Sequence, residues 1–241
     1  MRTSENGNVI FYIFIAIALL GALSFAVTQS FRSGGKNLSE DRAQLAATEV
    51  MAYGDAIAKS VAQLRLRGIP EYGISFAHPS ANATYGTYDS TPRSEIFNPQ
   101  GGGVLYRKAP DIAGSGAPLT YNFVGAYAID GLGLTGCTLP ANAPAECSEL
   151  LLVVQGLRLE VCQMINHLLG LGEKTDTPPA EASLPTTPLF VGNNSGTPNP
   201  YTYADTIGDD GGSAALSGQT AGCYYNAGST SYVYYQVLIT R

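Results

Sequence analysis

From Val9 to Val27 the chain reads VIFYIFIAIALLGALSFAV, nineteen residues without one charged side chain. Ser24 and the hydroxyl of Tyr12 are its only strongly polar groups. As a helix this stretch would rise about 28 Å at about 1.5 Å per residue, close to the thickness of a bilayer's hydrocarbon core. Lipid supplies no hydrogen bonds, so such a segment is stable there only with its backbone paired internally. Any fold behind it must find a place for an apolar helix.

Three readings compete for that helix. A cleavable secretory signal would use the small residues Ser24 and Ala26 of Ser24-Phe25-Ala26 as its −3 and −1 positions. Its n-region, Met1–Gly7, has only Arg2 as a basic side chain, offset by Glu5. A single-span anchor would be weakly oriented, because Arg2 precedes the span while Arg32 and Lys36 follow it. On charge alone the following domain would face the cytoplasm.

The third reading rests on two landmarks in one register. Glu5-Asn6-Gly7 closes a short polar leader, and the apolar run follows at once, with Ile17-Ala18-Leu19-Leu20-Gly21 further in. This pattern resembles a type IV pilin or pseudopilin precursor, in which a leader ending in glycine precedes a run such as Ile-Ala-Ile-Ile-Gly. The resemblance implies cleavage by a prepilin peptidase between Gly7 and Asn8. It also implies helix-core assembly through Tyr12, Ile17, Leu20 and Gly21. Tyr12 stands where pilins usually carry glutamate, and Asn8 where they usually start on phenylalanine. Members lacking that glutamate occur among minor, tip-initiating pseudopilins.

Four segments are expected: a leader over 1–7, a transmembrane helix over 8–33, an amphipathic helix over 34–68 and a globular α+β head over 69–241. The resemblance implies a pilin-like α+β fold: a long N-terminal transmembrane-plus-amphipathic helix packed on a small antiparallel-sheet head domain. Partners would be other copies or related pilin-like subunits, the prepilin peptidase, and membrane lipid through 9–27. The location would be the inner membrane with the head in the periplasm, or an extracellular filament after assembly. The competing possibility is a single-span, membrane-anchored extracytoplasmic binding protein that does not polymerise.

Within 34–68, Gly34-Gly35 predicts a break, at a cost of about 2 kcal/mol relative to two alanines. Asn37-Leu38-Ser39-Glu40 then reads as a capping box. Leu38, Leu45, Val50, Ile57, Val61 and Leu64 recur at roughly helical spacing among many alanines. Gly68-Ile69-Pro70 ends the helix. The pattern suits packing on the head better than a coiled coil, for which the heptads are too irregular.

Beyond Glu71 turn residues dominate. Val104–Tyr106, Leu119–Ile129 and Ser231–Arg241 read as strands. Glu149–Val154 is strand or helix start, and Arg158–Leu169 is a helix with Gly170 placed to cap it. Glu173–Gly222 reads as a long irregular stretch, suited to an interaction surface.

Four cysteines follow the apolar helix: Cys137, Cys147, Cys162 and Cys223. Their spacings fit no zinc pattern, so an oxidising compartment would pair them. Cys137–Cys147 would close a short loop, and Cys162–Cys223 would tie a helix to the C-terminal sheet. Four free thiols in a cytoplasmic domain are the alternative.

Chemistry is sparse. Net charge is −6 and charged residues make up 13 % of the chain, with no basic run for nucleic acid. Neither His78 nor His167 has a nucleophile or paired carboxylate at a recognisable spacing. Gly101-Gly102-Gly103 has no following lysine in the place a phosphate loop needs. Asp205, Asp209 and Asp210 could offer oxygen ligands to calcium, although solvated turn residues are the plainer reading. No cofactor and no catalytic residue is expected, and the fifteen tyrosines suit subunit contacts without specifying a ligand.

Overall fold

The computed structural model describes residues 8–116, 119–133, 147–182, 189–192 and 201–241, with the side chains of 8–10 and 25–38 excepted. Its internal contacts divide the chain into a first unit ending at Arg42 and a second, Ala43–Arg241. Helix α1, Asn8–Leu66, contributes to both.

In the second unit the apolar face of α1 is set by spacing. Ala43, Ala46, Ala47, Val50, Tyr53, Ile57, Val61 and Leu64 are buried, and apart from the adjacent Ala46 and Ala47 each lies three or four residues from the next. Leu45 falls off this stripe and is 61 % exposed, which corrects its expected place on the face. The helix stops as expected. Gly68, at φ +85°, donates to the Arg65 carbonyl and Ile69 to the Leu64 carbonyl, a Schellman pair that needs a left-handed residue. The expected break at Gly34-Gly35 is absent, and no helix starts at Asn37, because α1 is helical through both places. Helix propagation adds one hydrogen bond per residue and outweighs one pair of adjacent glycines.

Six strands follow: β1 (Asn122–Ile129), β2 (Glu149–Leu157), β3 (Ala180–Glu181), β4 (Asp205–Ile207), β5 (Ala221–Asn226) and β6 (Ser231–Ile239). Helix α2 (Leu159–Leu168) lies between β2 and β3 in sequence. The strands form one sheet in the order β3-β5-β6-β2-β1-β4. Alternation explains how it is covered on two faces. On β2, Leu150, Leu152 and Val154 enter the core that contains the α1 and α2 residues, while Leu151 and Val153 enter a second core with Ile207 and Leu216. A strand buried on both faces is a continuous apolar run, which is why Glu149–Val154 showed no period. On β1 an irregularity between Val124 and Tyr127 places both in the second core.

Two expectations about the fold are corrected. The sheet is six-stranded and mixed, not small and antiparallel: β4 runs parallel to β1, and β3 parallel to β5. Among the described residues, moreover, no helix is long and apolar enough to cross a membrane. The pilin-like arrangement of a long transmembrane helix on a small sheet is therefore not what this chain forms. Val104–Tyr106 belongs to no strand. β3, β4 and β5 all fall within or just after the stretch expected to be irregular.

Candidate functional site

Chemistry was sparse in the sequence, so the informative places are surfaces and buried polar groups. The first surface is on α1 in the unit ending at Arg42. Phe11, Tyr12, Phe14, Ile17, Leu20 and Leu23 are each 62–66 % exposed. At about 100° per residue these positions point all around the helix, so no orientation of one partner face could cover them all. A Cβ added at Gly21 would meet no atom within 4 Å. Of the leader junction, Gly7 lies outside the described residues, and Asn8 is described only as backbone at the start of α1.

The cysteines behave as expected where they can be followed. Cys162 of α2 is bonded to Cys223 of β5 across a sequence separation of 61. Cys147 is also disulfide-bonded, and its expected partner Cys137 lies outside the described residues. Gly170, at φ +74°, caps α2 by donating to the His167 carbonyl, while Leu171 donates to the Asn166 carbonyl.

The three aspartates do not converge on an ion position. Asp205 accepts from the Thr206 amide at 2.9 Å, and Asp210 accepts from the Ala182 amide at 2.9 Å. Among the described residues no group of three or more His, Cys, Asp or Glu could hold a metal ion. Asp209 is held above the usual carboxylate range by burial, then by the charges of Asp205, Asp210 and Asp130.

Both histidines have structural surroundings. His78 stacks on Tyr106 with ring centroids 4.4 Å apart, and its Nδ1 accepts the Ser80 amide. Burial lowers its basicity. His167 Nδ1 lies 3.3 Å from the Gly172 carbonyl oxygen. The three glycines at 101–103 serve close approach. A Cβ on Gly101 would lie 2.2 Å from the Glu95 carbonyl, and one on Gly102 2.1 Å from Ser60 Oγ on α1.

Three buried acids escaped the sequence reading: Glu95, whose carboxylate accepts from the Asp89 and Thr91 amides, and then Glu149 and Glu181. Glu149 is 1 % exposed; one carboxyl oxygen accepts from the Ile129 amide at 2.9 Å and the other has no hydrogen-bond partner among the described residues. Glu181 is 2 % exposed and accepts from the Gly208 amide at 2.7 Å. Burial raises Glu149 and Glu181 each from 4.5 to about 7. Each of these two lies at a strand end in a stretch with no charge pattern, so nothing in the sequence marked it.

Compared with known families, curated proteins and solved structures, the chain matches none of them.

Proposed function

We propose that the chain is a structural subunit of a type IV pilus-like or pseudopilus-like filament, polymerised through its N-terminal apolar helix. The observation that carries this reading is the exposed apolar surface around Phe11–Leu23. Fully burying one such side chain contributes about 1.5–3 kcal/mol, so a helix exposing six or more has a strong drive to associate. Sister helices from other copies can surround it on every side, whereas one docking face cannot. The disulfide Cys162–Cys223 supports a place outside the cytoplasm. A prepilin peptidase acting after Gly7 would release Asn8 as the first mature residue. Catalysis is no part of this proposal.

Sedimentation velocity and negative-stain electron microscopy of the full-length protein test it, with the double variant Ile17→Asp/Leu20→Asp as control. The wild type should form elongated, multi-subunit particles, and the variant should sediment as a monomer with its disulfides intact. A monomeric wild type, or a variant that assembles equally well, would overturn the proposal.

A further inference from the structure

The amide of Val104 is bonded to the Ile96 carbonyl at 3.1 Å, and beyond it the segment Leu105–Lys108 presents an open strand edge. The buried hydroxyl of Tyr53 on α1 donates to the Leu105 carbonyl at 3.1 Å and accepts from the Arg107 amide at 3.1 Å. A carbonyl and the amide two residues on share one side of an extended chain, so Tyr53 stands in for a neighbouring strand. The backbone N–H groups of Tyr106 and Lys108, on the other side, have no hydrogen-bond partner among the described residues. Leu105 is 71 % exposed, and Arg107 and Lys108 are exposed beside it. Arg107-Lys108 is the one place in the sequence where two basic residues adjoin. Neither makes an ion pair among the described residues.

A surface of opposite charge lies elsewhere on the same unit. Asp130 follows β1, Asp205 opens β4, and Asp209 and Asp210 follow β4, the last strand of the sheet. Burial raises the Asp209 pKa, the charges of Asp205, Asp210 and Asp130 raise it further, and no cation enters among its causes. The two surfaces border different cores. Tyr53 and Tyr106 belong with the first, Ile207 and Leu216 with the second, on the other face of the sheet.

We infer that the Leu105–Lys108 edge of one copy docks on the Asp130/Asp205/Asp209/Asp210 surface of the next. The contact is head to tail: each copy offers a basic edge on one side and an acidic surface on the other, so the interaction propagates instead of closing as a dimer. The unpaired amides supply backbone hydrogen bonding and the charges set register and direction. This inference rests on the assembly proposed above and adds the contact between globular units.

The test uses full-length protein with two charge reversals, Arg107→Glu/Lys108→Glu and Asp130→Lys/Asp209→Lys. All four residues are exposed, and their one side-chain hydrogen bond among the described residues is from the Asp209 backbone amide to its own carboxylate, so both variants should keep the wild-type circular dichroism. Each variant alone should lose assembled mass by about tenfold at low salt, and wild-type assembly should weaken as salt is raised. Mixing the two variants should restore assembly, because every contact between them is then complementary. Unchanged assembly in both single variants would overturn this docking while leaving the helix-driven filament standing. Loss in the basic-edge variant alone would mean that the edge meets some other anionic partner, and would overturn a second copy as its occupant. A wild type that stays monomeric at every salt concentration would overturn both.

Discussion

Asn166 and Cys223 pair through two hydrogen bonds. The carboxamide of Asn166 donates to the Cys223 carbonyl at 2.8 Å and accepts from the Cys223 amide at 2.9 Å. A side chain of α2 thereby supplies what a neighbouring strand would give β5. Both residues are buried, and α2 also carries the disulfide partner of Cys223, so one residue of β5 is fixed to the helix three ways. Asn166→Ala leaves a buried donor and acceptor unsatisfied and should cost about 1–3 kcal/mol for each. Urea denaturation of the oxidised protein measures it, and a change below about 0.5 kcal/mol would contradict this role.

The disulfide should contribute independently. With its cysteines 61 positions apart in sequence, loop-closure entropy gives about 4 kcal/mol. Cys162→Ala/Cys223→Ala removes this bond alone and leaves Cys147 oxidised, whereas a reducing agent reaches both. The double variant should unfold at a much lower urea midpoint.

Gly54 and Gln236 should be coupled. A Cβ on Gly54 would lie 2.0 Å from Gln236 Oε1. Gln236 cannot simply turn away, because its amide donates to Asp55 at 2.7 Å and its Oε1 accepts from Tyr234 at 2.8 Å. Gly54→Ala should destabilise by about 1–3 kcal/mol through forced repacking. In the Gln236→Ala background the same change should cost little. A double-mutant cycle reads the difference, and additive effects would contradict the contact.

Stability should fall as pH rises from about 4.5 to about 7. Glu149 and Glu181 hold their protons in the folded chain up to about 7, while the unfolded chain releases them near 4.5. Between those values the folded state binds more protons, so deprotonation favours unfolding. At about 1.4 kcal/mol per pH unit, the shift from 4.5 to about 7 is worth about 3 kcal/mol for each group. Glu149→Gln/Glu181→Gln should flatten the slope of urea midpoint against pH. A midpoint that rises across this range in the wild type, or a slope unchanged in the variant, would contradict the assignment.

The parts of the fold legible in the sequence were those with a strong local period. The α1 stripe, α2 with its Gly170 cap, and the long strands β1 and β6 all followed from spacing and turn residues. Cysteine parity indicated disulfides but left three connectivities open, and the structure shows the expected Cys162–Cys223 bond. β3 and β4 have two and three residues, too short to show alternation, and they exist because longer neighbours offer them an edge. β5 was readable in principle. Ala221–Tyr225 precedes a turn in which Asn226 accepts the amides of Gly228 and Ser229, and β6 follows directly, which together signal a hairpin. The two-glycine break misled because propensity is local and helix propagation is cooperative. At the surfaces, the exposed apolar helix was visible at once in the sequence. The burial of Glu149 and Glu181 was not, since only tertiary contacts decide which of nineteen acidic residues leaves water.

The central claim is that copies meet through the Phe11–Leu23 helix, and the most direct measurement is a cross-link there. Gly21 has open space where a side chain would begin, and the described cysteines are all in disulfides, so Gly21→Cys adds one reactive thiol on that helix. Oxidation of the assembled full-length variant, followed by non-reducing electrophoresis, should trap covalent dimers. The Ile17→Asp/Leu20→Asp background should abolish them. A variant that assembles yet stays wholly monomeric on the gel, or cross-links equally well with both aspartates present, would contradict assembly through this helix.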